Sequence, residues 1–271
     1  MCAAICSGRA ADQGMKQSRS SLVIAAAMSG AVVAMLLMSA PATPGQAEQQ
    51  DLIVLPTVPP TPTVPPAPAR PATGGAVPQS ATTRLADAFD TDVSLGAWRI
   101  VDLEPVPPER QASWIVADGR LQQNRTVPPL RDPSIHETAA IAGDASWSDY
   151  TISASFYDQE NANVGLIARR QGDSYYRYRI IRDDYEARPK HLLEKVVNGD
   201  VTIIASLDAS GYGARTWHSI ALSVSGSQLR AYFDGQPTIS ASDTSLAAGE
   251  VGLYTRAIGG MLFDNVTVTS P

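Results

Sequence analysis

Cysteine is almost missing from this chain. Its 271 residues include two, Cys2 and Cys6, both at the extreme N-terminus. No disulfide framework and no thiolate metal site is therefore available to the rest of the chain. Basic charge is also scarce: 21 Lys+Arg stand against 27 Asp+Glu, a formal net charge of −6. Beyond residue 81 the only lysines are Lys190 and Lys195. A phosphate backbone would find no positive surplus to neutralise, which removes nucleic acid as a partner. Histidine occurs three times, as His136, His191 and His218, each isolated, and no H-E-x-x-H metal-hydrolase signature is present. No serine sits in a nucleophile-elbow context. Charged residues make up 18% and hydrophobic ones 44%, too little charge and too much apolar surface for a chain disordered throughout.

What is present falls into three zones. Residues 1–47 read as export machinery. Lys16 and Arg19 precede Leu22–Ala40, a run without a charge, and Glu48 and Asp51 follow it. Such a run is long enough to cross a bilayer, and its flanking charges direct the C-terminal part outward. It is either a secretory signal, cleaved after Ala42 or Ala47, or a retained membrane anchor. Initiation at Met15 would give an ordinary short basic start and remove both cysteines. Residues 48–80 read as a disordered linker, with proline at 56, 59, 60, 62, 65, 66, 68, 71 and 78. Proline fixes φ and lacks an N–H, so neither a helix nor a sheet ladder forms there, and the segment acts as a semi-rigid spacer.

Residues 81–271 form the folded zone, and their periodicity is that of strands. Tyr150, Ile152, Ala154 and Phe156 alternate with Thr151, Ser153, Ser155 and Tyr157. His218, Ile220, Leu222 and Val224 alternate with Trp217, Ser219, Ala221 and Ser223. Alternation of this kind marks strands with one buried face. Further strands are expected at 98–102, 113–117, 138–142, 163–170, 175–182, 191–197, 201–207, 228–234, 250–255 and 261–268. Asp118-Gly119, Asn198-Gly199 and Asp234-Gly235 stand where tight turns require positive φ. About a dozen short strands predict an all-β, two-sheet jelly-roll sandwich.

The order of short motifs adds to this. Phe89-Asp90, Trp98, Trp114, Asp118-Gly119-Arg120-Leu121 and Trp147-Ser148-Asp149-Tyr150 are followed by Val164–Arg169 and Tyr175-Tyr176-Arg177. Trp217-His218, Tyr232–Gly235, Gly249–Leu253 and Phe263–Val266 then complete the series. In this order the domain resembles the concanavalin A-like lectin/glucanase jelly rolls, in the branch with laminin-G-like modules, sugar-binding modules and the 3-keto-disaccharide hydrolase family. The resemblance implies the sandwich fold. Its functions span enzymes, lectins and contact modules, because fold alone does not fix function.

Three sets of residues could carry a function. The glucanases of the resembling superfamily carry a Glu-x-Asp-x-Glu triplet, and none occurs here; Asp158 and Glu160 read as solvated loop acids. A catalytic reading would need convergent acids such as Glu194 with Asp183 or Asp184. Sugar binding needs aromatic faces and forked hydrogen bonders. If strands 163–170 and 175–182 pair through Gly172-Asp173, alternation puts Arg169, Tyr175, Arg177 and Arg179 on one solvent-facing strip, the expected glycan platform. Finally, Asp264 shares parity with Leu262, Val266 and Val268, and an ionised carboxylate on an apolar face needs a partner. The resemblance implies a structural calcium ion here, held by Asp264 with Asp90 or Asp87; the alternative is pairing to N–H groups or an arginine. Trp98, Trp114, Trp147 and Trp217 are expected as plugs at the core edge, and His218 as a satisfied core or rim histidine. The expected protein is thus an exported, monomeric, non-catalytic carbohydrate-binding module, secreted or anchored at the cell surface. A glycoside or 3-keto-disaccharide hydrolase and a structural contact module are the rival readings.

Overall fold

The computed structural model describes residues 64–68, 81–125, 136–159 and 162–271. The expected export segment (1–47) lies outside the described residues, as does most of the linker. Among the described residues no helix is long and apolar enough to cross a membrane.

Among the described residues fifteen strands alternate with turns. They are β1 (Thr82–Asp87), β2 (Arg99–Asp102), β3 (Ser113–Ala117), β4 (Arg120–Arg125) and β5 (Glu137–Ala142), then β6 (Tyr150–Asp158), β7 (Ala162–Gln171), β8 (Ser174–Ile181), β9 (His191–Val197) and β10 (Asp200–Leu207). The last five are β11 (Trp217–Ser225), β12 (Gln228–Phe233), β13 (Gln236–Ser242), β14 (Glu250–Ala257) and β15 (Met261–Ser270). One sheet runs β13-β12-β11-β6-β15-β4-β3, with β1 also paired to β15; the other runs β10-β9-β8-β7-β14-β5-β2. The pairings are antiparallel. Hairpin-paired neighbours are joined by pairings distant in sequence, such as β6 beside β15 and β7 beside β14, which is the jelly-roll signature. The two-sheet sandwich is therefore as the alternation predicts. Sequence reasoning did not find β1, β4 and β13, which lack a clean apolar alternation.

The tight turns follow from their residues. Asp118-Gly119, Asn198-Gly199 and Asp234-Gly235 all have positive φ at both positions, the twist-matched hairpin geometry. Between the sheets lies one apolar core. Ile152, Ala154 and Phe156 of β6 meet Val164, Leu166 and Ala168 of β7, with Leu222 of β11 and Leu253 of β14. Trp114 stacks on Phe263 at 5.9 Å, and its Nε1–H donates to Thr138 Oγ1. Each such buried side chain is worth about 1.5–3 kcal/mol. Trp98 and Trp114 are buried in this core and Trp147 packs against it, as expected. Trp217 does not: it lies on the outer face of the larger sheet, opposite Tyr157.

Two bulges change which way side chains point. At the end of β7 the register shifts between Ala168 and Gln171, and Arg169 has φ 51°. In β15 the register shifts between Asp264 and Thr267, and Asn265 has φ 53°. A bulge adds one residue to one strand and so reverses the alternation beyond it.

Gly249, just before β14, lies tight against the end of β7 in the same sheet. Its φ is +155°, and a Cβ there would overlap the backbone of Arg169 and Arg170. Gly249→Ala is expected to lower stability by about 2–4 kcal/mol. Gly96→Ala, with nothing near its Cβ position, is expected to stay within ~0.5 kcal/mol. Urea unfolding of the two variants checks the pair.

Candidate functional site

The seven-stranded sheet has an unusual outer face. Ile141, Ile167, Tyr175, Val196 and Tyr254 form a second, smaller apolar cluster on the side away from the main core. Among them sits a charged network. Arg177 Nε donates to Glu194 Oε2 at 2.7 Å, and its Nη1 to Glu137 Oε2 at 2.6 Å. Arg179 Nη2 donates to Glu194 Oε1 at 2.6 Å. The Tyr254 hydroxyl donates to Glu137 Oε1 at 2.8 Å. The Arg177 guanidinium lies 4.4 Å from the Tyr254 ring centroid and 6.0 Å from that of Tyr175. Along the same face Glu250 pairs with Arg99 and Arg170.

Strand pairing builds this set. Register places Arg177 opposite both Ile167 and Glu194, and Arg179 opposite Gly165. Gly165 permits this: a Cβ there would strike the Tyr178 carbonyl and the Tyr254 ring. Glu194 is therefore the strand-β9 residue on the arginine face. Lys195 points to the other side and pairs with Asp243 at 2.7 Å.

Burial governs the chemistry. Arg177 and Glu194 are each 1% exposed, while the side chains of Glu137 and Arg179 keep 17% and 16%. A desolvated charge survives only if paired and hydrogen-bonded, and here each is. Burial pushes the Glu137 carboxyl up, but the charge and hydrogen bond of Arg177, with help from Tyr254 and Arg179, outweigh it and hold the group below its ordinary range. Glu137 is thus an ionised acceptor near neutrality. Burial pushes the Tyr175 phenol up to about 12 and the Tyr254 phenol well above its usual value, so both remain protonated donors.

The four residues expected on one exposed strip are not brought together in that way. Tyr175, Arg177 and Arg179 do share the face, but the two arginines are neutralised by Glu137 and Glu194. Arg169 is removed from them by its bulge. It is 2% exposed and donates to the carbonyls of Ser148, Gly226 and Leu246 and to Asp149, tying together loops at one end of the sandwich. Arg170 takes the outward place instead. Sequence reasoning missed Glu137 and Tyr254 because they come from β5 and β14, far along the chain.

The second expected site also changes. The Asn265 bulge sends Val266 and Val268 into the core while Asp264 faces out opposite Ser155. The premise of a carboxylate on the apolar face therefore fails. Burial raises the Asp264 carboxyl, and Asp90 and Asp87 add to this against Asn265 N–H and Arg120. Asp87 is committed to Phe89 N–H and Trp98 Nε1–H. Among the described residues no group of three or more His, Cys, Asp or Glu side chains is placed to hold a metal ion.

Other candidates prove structural. Asp158, expected in solvent, is fully buried and accepts from Tyr212 and Arg182; Glu160 lies outside the described residues. Asp183 accepts from Gly211 N–H and Asp184 pairs with Arg182, so neither joins Glu194. His218 packs against Phe156 and Phe233 and hydrogen-bonds Asp234, the satisfied rim histidine expected.

Two outcomes test the network. Arg177→Met takes one arginine from buried Glu194 and the arginine from Glu137, and is expected to cost about 3–5 kcal/mol, read by urea unfolding at neutral pH. Glu137 has a lowered pKa in the folded state, so its contribution is complete above its unfolded pKa and is lost as pH falls through the folded one. Stability measured downward from pH 5 should therefore fall less steeply in Glu137→Gln than in the parent; parallel curves would remove the ion pair from the account.

Comparison with known proteins followed the same fold. The domain family described as 3-keto-alpha-glucoside-1,2-lyase-like matches residues 85–269. No curated protein matches the chain. Among solved structures, a Bacillus subtilis protein of unknown function with a galectin-like fold is similar at 11% identity and TM-score 0.50, covering 69% of this chain and 96% of its own. A carbohydrate-binding module, CBM66, from Bacillus subtilis has 18% identity and TM-score 0.48, covering 63% and 95%. Domain 4 of AbnA, a GH43 extracellular arabinanase of Geobacillus stearothermophilus solved with arabinotriose, has 11% identity and TM-score 0.45, covering 70% and 93%. With the family match spanning most of the chain and the sandwich matching in fold, this chain belongs to the 3-keto-alpha-glucoside-1,2-lyase-like domain family, on a concanavalin A-like jelly roll.

Proposed function

We propose that the chain is an exported carbohydrate-binding module that meets an α-glucoside-type ligand on the outer face of the seven-stranded sheet. The observation that carries this reading is the Glu137–Arg177–Glu194–Arg179 network beside Tyr175. Charged forks placed on a sheet's outer side are ordinarily loose and solvated; these are fixed by one another and need no reorganisation to accept a ligand. Forked N–H donors and a carboxylate suit vicinal hydroxyls, while the buried Tyr175 and Tyr254 rings back the network and hold it in place. The family description supplies the sugar class. Glu137 and Arg179, the partly exposed members, are the groups a ligand would reach. Binding without catalysis fits the electrostatics: Glu137 is held ionised by its arginine, and a hydrolase needs one carboxyl kept protonated as the acid. The export reading rests on the Leu22–Ala40 run with its flanking charges.

One observation favours a second reading, action on 3-keto-α-glucosides. Glu137 is ionised while Tyr254, hydrogen-bonded to it at 2.8 Å, stays protonated. A base and a donor side by side are the parts that elimination from a keto sugar would use.

Affinity electrophoresis in gels containing a soluble α-glucan tests the first reading. The parent should be retarded. The double variant Glu137→Gln/Arg179→Ala should lose at least tenfold in affinity while its melting temperature shows that it remains folded. Equal retardation of the two would move the ligand off this face. Glycone release from a 3-keto-α-glucoside by the parent, lost in Glu137→Gln, would replace the first reading by the second.

A further inference from the structure

The opposite side of the molecule carries an aromatic surface that neither reading uses. On the outer face of the larger sheet, Trp217 of β11 lies beside Tyr157 of β6, with ring centroids 5.4 Å apart. Leu262 of β15 sits next to Tyr157, paired also with Gln122 of β4. Arg120 reaches over the Trp217 ring at 5.7 Å. Tyr157 is 7% exposed and Leu262 4%, although both face away from the core.

A segment of the proline-rich tract lies on this surface. The Pro65 carbonyl accepts from Trp217 Nε1–H at 2.9 Å and from Arg120 Nη2 at 3.4 Å. The Pro68 carbonyl accepts from Asn265 Nδ2 at 3.3 Å. The spacing has a physical basis. A polyproline II helix has three residues per turn, so carbonyls at i and i+3 point the same way, about 9 Å apart. Pro65 and Pro68 are one such turn apart, and their carbonyls meet donors at two ends of the same face. Each proline lacks a backbone N–H, so a tract this rich in proline cannot continue a sheet ladder, and recognition falls to side-chain donors and flat aromatic faces, the means by which proline-reading grooves work. The sequence is periodic in the same way: proline recurs at 56, 59, 62, 65, 68 and 71, and Pro56-Thr57-Val58-Pro59-Pro60 is repeated as Pro62-Thr63-Val64-Pro65-Pro66.

We infer that the Trp217–Tyr157–Arg120–Asn265 surface is a polyproline II-reading site whose occupant is the chain's own proline tract, bound in cis. The tract is then a ligand as well as a spacer, and the domain is strapped to its own tether. Occupation in cis benefits from the short connection between Pro68 and β1. Such a connection sets an effective concentration in the millimolar range, so a weak site stays filled without high intrinsic affinity. The repeat offers a second equivalent register six residues earlier, so a variant must alter both copies to empty the site.

The test uses the full chain and a fluorescein-labelled peptide spanning Pro56–Pro71, followed by fluorescence anisotropy. In one variant residues 56–71 are replaced by Gly/Ser of equal length. This variant should bind the peptide at least tenfold more tightly than the parent, whose site is filled. Adding Trp217→Phe to the replacement, which keeps a ring but removes the indole donor, should weaken binding at least fivefold. Failure of the replaced chain to bind the peptide, or binding unaffected by Trp217→Phe, would overturn the site. Equal binding by the parent would overturn its occupation in cis. So would a parent that sediments as a dimer and becomes a monomer on tract replacement, because the occupant would then come from a second copy.

Discussion

The alternation of side chains along a strand, one face then the other, is the constraint from which the rest of this molecule follows. It fills the space between the sheets with Phe156, Leu166, Leu222 and Leu253. It also decides which polar groups stand on the two outer faces. Where alternation holds, as along β8, it sets Tyr175, Arg177 and Arg179 in a row. Where a bulge reverses it, at Arg169 and Asn265, a side chain is re-aimed and the local role changes. Arg169 becomes a clamp between loops, and Asp264 moves from the core side to the outer side.

How much was legible in the sequence follows from the same rule. The two-sheet architecture is a period effect, and it reads directly. The hairpin turns at Asp118-Gly119, Asn198-Gly199 and Asp234-Gly235 announce themselves because few dipeptides accept positive φ twice. The bulges did not read. Both place a non-glycine residue in the left-handed region, and nothing in Ala168-Arg169-Arg170 or Asp264-Asn265-Val266 marks the extra residue beyond the mild tolerance of asparagine for that conformation. The partners of Arg177 did not read either. Glu137 and Glu194 reach it through strand order, which is a property of the topology and not of local pattern.

The two outer faces solve different problems. On the seven-stranded sheet, charge is confined: each guanidinium has a carboxylate, each carboxylate a second donor, and tyrosine rings shield the whole. Removing one member strands another, so the network is rigid and costly to break. On the larger sheet the chemistry is softer. An indole and one arginine offer a flat surface and single donors, and the Pro65 carbonyl meets both. One module therefore presents a polar, preorganised face and an aromatic face.

The most direct test of this division is spectroscopic. In the ¹⁵N-labelled chain the Arg177 and Arg179 Nε–H signals report one face and the Trp217 indole N–H reports the other. On titration with a soluble maltooligosaccharide the account predicts that the arginine signals shift in a saturable way while the Trp217 signal stays in place. A shift of the Trp217 signal with unmoved arginine signals would contradict it.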